Sequence, residues 1–223
     1  MIKAVLFDLD NTLIDFMTMK RLSSQAAIRS MIDAGLQVEE QKGMKKLFQM
    51  YNEHGFEDQK IFNKFISEVN GKLDYKILAS AISAYRKVKY GQMTPYPYTR
   101  RVLLKLKAKG LKLGIVSDAP KLQAWLRLSE SNLLEFFDFV VAVGLTGMEK
   151  PHKMPFNKAS SMLKLKPDEI LFVGDNPKRD IIGAKKVGMK TALAKYGQVI
   201  KDDSIKADFE LKSLRDILKI VES

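Results

Sequence analysis

Three aspartates and a lysine are the residues of this chain best suited to handling a phosphoryl group. Asp8 and Asp10 stand two positions apart in Phe7-Asp8-Leu9-Asp10-Asn11-Thr12, Asp175 lies in Val173-Gly174-Asp175-Asn176, and Lys150 precedes Pro151. A dianionic phosphate is repelled by clustered carboxylates unless a cation neutralises both, and an all-oxygen site of few carboxylates suits magnesium. Beside such a cation Asp8 can attack phosphorus and form an aspartyl-phosphate, dividing one difficult displacement into two easier ones. Asp10 can protonate the leaving oxygen and later take a proton from the attacking water. Lys150 and the hydroxyl of Ser117 suit the equatorial oxygens, where phosphoryl transfer is stabilised. Thr12 and the backbone amides around it can line the same pocket.

These residues share a place in the sequence pattern, because most of them end an apolar run. The segments 3–8, 111–117, 137–143, 169–175 and 190–195 read as short buried strands. Helical patterns over 99–109, 121–130, 155–163 and 178–187 lie between them, each long enough for a crossover. Alternating strand and helix predicts an α/β fold with a parallel sheet and helices on both faces. Ligands of such sheets bind beyond the carboxyl ends of the strands, where Asp8, Ser117 and Asp175 fall.

Residues 16–92 break this rhythm. They contain helical stretches over 17–34, 39–54, 58–69 and 74–90, interrupted at Gly35, His54-Gly55 and Asn70-Gly71, and no convincing strand. Pro95 and Pro97 mark a stiff return to the alternating pattern. The predicted organisation is an all-helical insert, 16–92, in an α/β core made of 1–15 and 93–223. Phe48, Met50, Phe62 and Phe65 are expected to pack that insert at helical spacing, with Phe16, Lys20 and Arg21 as candidates to face substrate. His54 and His152 are assigned no role.

Phe7-Asp8-Leu9-Asp10-Asn11-Thr12-Leu13, Val116-Ser117-Asp118, Lys150-Pro151-His152 and Val173-Gly174-Asp175-Asn176 with Asp180 resemble the four ordered motifs of the haloacid dehalogenase-like hydrolase superfamily. The resemblance covers essentially the whole chain. It implies a Rossmann-like core, an Asp8 nucleophile, an Asp10 acid/base, and magnesium bound by the Asp8 side chain, the Asp10 carbonyl and the Asp175 side chain. It implies further that the helical insert is a cap closing over substrate. Asp180 is read as a supporting residue behind the metal ligands, and Asp118 as structural.

The expected reaction is hydrolysis of a small phosphorylated metabolite of the sugar, triose or glycolate phosphate class. Two other reactions of the same fold stay open, phosphosugar mutation and 2-haloacid dehalogenation, although dehalogenation needs neither a metal nor an acid at Asp10. A basic nucleic-acid-binding module is the non-enzymatic alternative, raised by a formal net charge of +12. The excess is mostly lysine spread along the chain, which reads as a solvated surface attractive to anionic metabolites, so no nucleic-acid partner is expected. There is no cysteine, which excludes disulfides and thiolate metal sites. No apolar stretch approaches a membrane span, and a cytoplasmic location is expected.

Overall fold

The computed structural model describes residues 1–222. In chain order its first elements are β1 (Ala4–Phe7), α1 (Phe16–Asp33), α2 (Glu40–His54), α3 (Ile61–Asn70), α4 (Tyr75–Gln92), α5 (Thr99–Ala108), β2 (Lys112–Ser117) and α6 (Lys121–Glu130). There follow β3 (Phe139–Ala142), α7 (Val143–Thr146), α8 (Lys153–Leu163), β4 (Ile170–Gly174), α9 (Ile182–Lys185), β5 (Lys190–Ala194), β6 (Phe209–Leu211) and α10 (Ile217–Ile220). The chain divides into two compact units, one made of Met1–Asp15 with the chain from Thr94 onward, the other of Phe16–Met93.

In the first unit the described strands form one parallel sheet in the order β3-β2-β1-β4-β5-β6. This is a Rossmann-like α/β architecture. All of β1 and β4 are buried, as strands covered on both faces must be. On one face Leu6, Val116, Phe139 and Phe172 pack with Phe156 and Ala159 of α8. Register decides what meets at the carboxyl edge. Phe7 of β1 lies opposite Ile115 of β2 and Val173 of β4, so Asp8 falls level with Val116 and Gly174, and Ser117 and Asp175 stand one residue further along the neighbouring strands at the same edge.

The segment after β1 folds back on itself. Leu13 and Ile14 N–H both donate to Leu9 O, and Asn11 N–H donates to Ile14 O at 2.8 Å. Asn11 occupies the left-handed region at φ 58°, which asparagine tolerates better than most side chains. The loop after β5 clamps this turn from outside. The Tyr196 hydroxyl donates to Thr12 O at 2.7 Å, and its ring meets Tyr96 edge-on at 5.1 Å. Burial, with the nearby Tyr96 and the Asp175 charge, pushes the Tyr196 hydroxyl up and keeps it a donor. A Cβ at Gly197 would stand 1.7 Å from Asn11 O, so only glycine lets the two backbones approach this closely.

The second unit is helical, with α1 packed along α4 and a core that includes Ile28, Met31, Leu47, Phe65, Ile66 and Ile77. Its breaks fall at Gly35, Gly55 and Gly71, all at positive φ. Lys20 is buried inside this unit, its Nζ 2.9 Å from Phe56 O and 4.1 Å from the centre of the Tyr51 ring. Phe16 meets Phe56 edge-on at 6.5 Å, and Arg21 is exposed. Lys20 is therefore part of the packing of its own unit.

Among the elements that differ from the sequence expectation are the short helices α7 and α10, which no helical pattern predicts. β6 was not expected, because its residues Phe209 and Glu210 are exposed and form no apolar run. The helix expected over 178–187 is a wide π-type turn, Pro177–Ile181, followed by the short α9. Asn176 caps the turn through its side chain, and Asp180 is drawn inward to the sheet edge.

Candidate active site

The carboxyl edge of the sheet gathers Asp8, Lys150, Asp175 and Asp180 into one buried cluster. Lys150 Nζ lies 2.7 Å from Asp8 Oδ1 and 2.7 Å from Asp180 Oδ1, and its side chain is 3% exposed. Burial opposes its charge, but Asp180 and then Asp8 more than offset that and hold the ammonium well above the usual lysine range. The lysine is thus a permanent cation touching the Asp8 carboxylate.

Asp180 is fully buried, and its second oxygen accepts from Asn176 N–H at 3.0 Å. Space for it is made by Gly174, where a Cβ would stand 2.3 Å from Asp180 Oδ2. Gly174→Ala is expected to destabilise the protein by about 1–3 kcal/mol through overpacking. A urea unfolding midpoint checks this, and an unchanged midpoint would mean that Asp180 repacks freely.

Lys150 is also anchored through its backbone. Asp118 Oδ1 accepts from Lys150 N–H at 2.9 Å, and Asp118 Oδ2 accepts from Arg179 at 3.1 Å. Asp118 therefore ties the end of β2 to the Lys150 loop, which is a structural role. Ser117 is buried at the same edge, its Oγ accepting from Ala119 N–H at 3.1 Å. That bond uses a lone pair and leaves the hydroxyl hydrogen to donate.

Thr12, expected to line a phosphate pocket, is fully buried and its hydroxyl donates to Asp175 Oδ1 at 3.3 Å. It supports Asp175 in this arrangement. His54 and His152 are exposed, and His152 Nδ1 caps α8 by accepting from Met154 N–H.

The acid cluster fits a hard cation. Asp8, Asp175 and Asp180 are buried and each offers an oxygen within 4.8 Å of the others. Burial, and then the charges of Asp8 and Asp180, push the Asp175 carboxyl upward, as expected for carboxylates assembled to share a cation. Both oxygens of Asp180 are taken, one by Lys150 Nζ and the other by Asn176 N–H, whereas Asp8 and Asp175 could each turn an oxygen toward a cation.

Asp10 is set apart from this cluster. Its side chain is 23% exposed, and its Oδ2 accepts from Arg127 Nη1 of α6. Arg127 was not anticipated from the sequence. The available signal was its position in the stripe Ala124, Arg127, Leu128, the buried face of α6.

Residues 5–194 match the haloacid dehalogenase-like hydrolase family. The chain belongs to that family. Among curated relatives, a glyceraldehyde 3-phosphate phosphatase from Methanocaldococcus jannaschii is 35% identical, with 100% of this chain and 98% of that protein covered. A pyrophosphatase PpaX from Bacillus cereus is 31% identical over 100% of this chain and 97% of its own. Among solved haloacid dehalogenase-like structures, a phosphatase from Thermococcus onnurineus superposes with a TM-score of 0.71 at 26% identity, covering 99% of this chain and 98% of that one. No helix among the described residues is long and apolar enough to cross a membrane.

Proposed function

We propose that this haloacid dehalogenase-like hydrolase is a magnesium-dependent phosphatase that removes phosphate from a small phosphorylated metabolite through an aspartyl-phosphate on Asp8. The observation that carries the reading is the buried Lys150 ammonium held 2.7 Å from Asp8 Oδ1, beside Asp175. A lysine in that place orients the nucleophile and offers positive charge to the transferring group.

In the first step an Asp8 oxygen forms a bond to phosphorus as the bond from phosphorus to the substrate oxygen breaks, and Asp10 gives that oxygen its proton. In the second, water attacks phosphorus, Asp10 takes its proton, and the bond to Asp8 breaks. Ser117 donates to a phosphoryl oxygen, and Lys150 offsets charge on Asp8 and on the equatorial oxygens. Thr12 and Asp180 hold Asp175 and Lys150 in position. Magnesium, held by the side chains of Asp8 and Asp175 and the Asp10 carbonyl, would supply charge neutralisation for the phosphate among the carboxylates.

Glyceraldehyde 3-phosphate is the first substrate to test, on the strength of the full-length relatives that carry that name. The experiment is a phosphate-release panel with magnesium over glyceraldehyde 3-phosphate, phosphoglycolate, hexose phosphates and pyrophosphate. Triose phosphate is expected to give the highest kcat/KM. Turnover of a hexose phosphate to an isomer with no free phosphate would favour a mutase instead.

Metal binding has its own readout. Magnesium at a hundred times its Kd stabilises a folded state that alone binds it by about 2.7 kcal/mol. Wild-type protein is expected to show a rise in melting temperature on adding magnesium, and Asp175→Asn to lose most of it. A magnesium shift of equal size in the Asp175→Asn variant would remove Asp175 from the metal site.

A further inference from the structure

Arg127 takes no part in the reaction set out above, and its burial calls for an explanation. Ala124, Arg127 and Leu128 are the residues that α6 buries, so an arginine occupies a position where helical periodicity calls for an apolar side chain. Its side chain is 4% exposed. Buried ion pairs are poor stabilisers, since well-packed apolar residues of similar volume usually serve as well or better. Stability alone does not account for this residue.

What the guanidinium touches does. Arg127 Nη1 donates to Asp10 Oδ2, and in the reaction set out above Asp10 is the carboxylate that must face the leaving oxygen in the first step and the attacking water in the second. The backbone on either side of Asp10 is fixed, with Asn11 N–H on Ile14 O and Leu13 N–H on Leu9 O. The Asp10 side chain still has two torsions, and a planar, rigid donor is well suited to selecting one orientation. The helix that carries the donor is itself tied down. Ser131 Oγ donates to Arg127 O at 2.7 Å, and Arg100 donates to Ser131 O at 3.0 Å.

We propose that Arg127 is a positioning residue that orients the Asp10 carboxylate for proton transfer to the leaving oxygen of the substrate and from the attacking water. The proposal rests on the phosphatase reading given above. It separates Arg127 from a structural ion pair by a consequence for leaving groups. An alkyl oxygen must be protonated as it departs, whereas p-nitrophenolate leaves without a proton, so misorienting Asp10 should penalise the first far more than the second.

The test compares Arg127→Met with wild type on glyceraldehyde 3-phosphate and p-nitrophenyl phosphate, with magnesium and excess enzyme in a single turnover. General acid catalysis is worth about 10²–10⁴-fold, and misorientation is expected to forfeit about 10- to 100-fold of it on the alkyl ester, with the enzyme concentration that gives the half-maximal rate within about threefold. Release of p-nitrophenolate should fall by less than about threefold. Because Arg127 acts through Asp10, adding Arg127→Met to Asp10→Asn should cost less than about threefold more, a non-additivity that marks coupled residues. Arg127→Lys keeps the buried charge without the planar fork and is expected to show the same pattern more weakly if the Met variant folds poorly. Equal losses on the two esters, or an undiminished effect in the Asp10→Asn background, would overturn the positioning role alone. A folded, magnesium-loaded wild type that hydrolyses neither ester defeats the phosphatase reading, and this proposal with it.

Discussion

Asp8→Asn is expected to fold as the wild type does and to lose phosphate release by on the order of 10⁴- to 10⁶-fold, the scale on which removing a catalytic nucleophile acts. The substitution keeps the size and shape of a side chain buried at the end of β1, so packing against β2 and β4 is retained. The amide oxygen of the new side chain can still accept a hydrogen bond from Lys150, and Asp180 still pairs with that lysine. What is lost is the oxyanion that attacks phosphorus, together with one charge facing the metal. Phosphate release and a thermal melt, measured on the same preparation, separate these effects. A variant that melts like wild type but turns over within about tenfold of it would place the nucleophile elsewhere.

Lys150→Met carries the next largest expected effect, and it acts on both activity and stability. Removing one partner of a buried charge pair typically costs about 3–5 kcal/mol, because the remaining charge is left without compensation. Here two carboxylates lose their partner at once, Asp180 at 1% and Asp8 at 12% side-chain exposure. Activity is expected to fall by at least about 10²–10³-fold, the range seen when a single donor to a developing charge is deleted. The two effects can be separated by adding Asp180→Asn. The double variant removes the stranded buried charge and should recover much of the unfolding midpoint lost in Lys150→Met, while activity stays low. Recovery of activity along with stability would mean that Lys150 serves only to neutralise Asp180.

The parts of this account that were legible in the sequence are those written as contiguous patterns. Buried strands such as β1 and β4 are apolar runs closed by an acid, and the acid marks both the end of the strand and the site edge. Parallel pairing brings Asp8, Ser117 and Asp175 together once the strand order is known. Lys150 was readable because Pro151 follows it and a strand precedes it. β6 was not readable, since an edge strand with Phe209 and Glu210 exposed has neither alternation nor an apolar run.

Residues that reach the site through space were the ones missed. Asp118 was read as structural, and only the folded geometry shows its two oxygens joining the Lys150 backbone to Arg179. Tyr196 lies 184 positions from the Thr12 carbonyl that it holds. Arg127 looked like one more basic residue in a chain of 38 lysines and arginines, and its burial emerged only when α6 was oriented on the sheet. Asp180 reads from the sequence as a supporting residue, but its partner is visible only in the fold, where Asn176 caps the following turn and Asp180 turns inward to Lys150.

The most direct test of the central claim is a rapid acid quench of the first turnover of glyceraldehyde 3-phosphate with magnesium, followed by mass analysis of the N-terminal peptide that contains Asp8. The account predicts one phosphoryl group on Asp8 in the wild type and none in Asp8→Asn. A phosphoryl group on any other residue, or complete phosphate release from the Asp8→Asn variant, would contradict it.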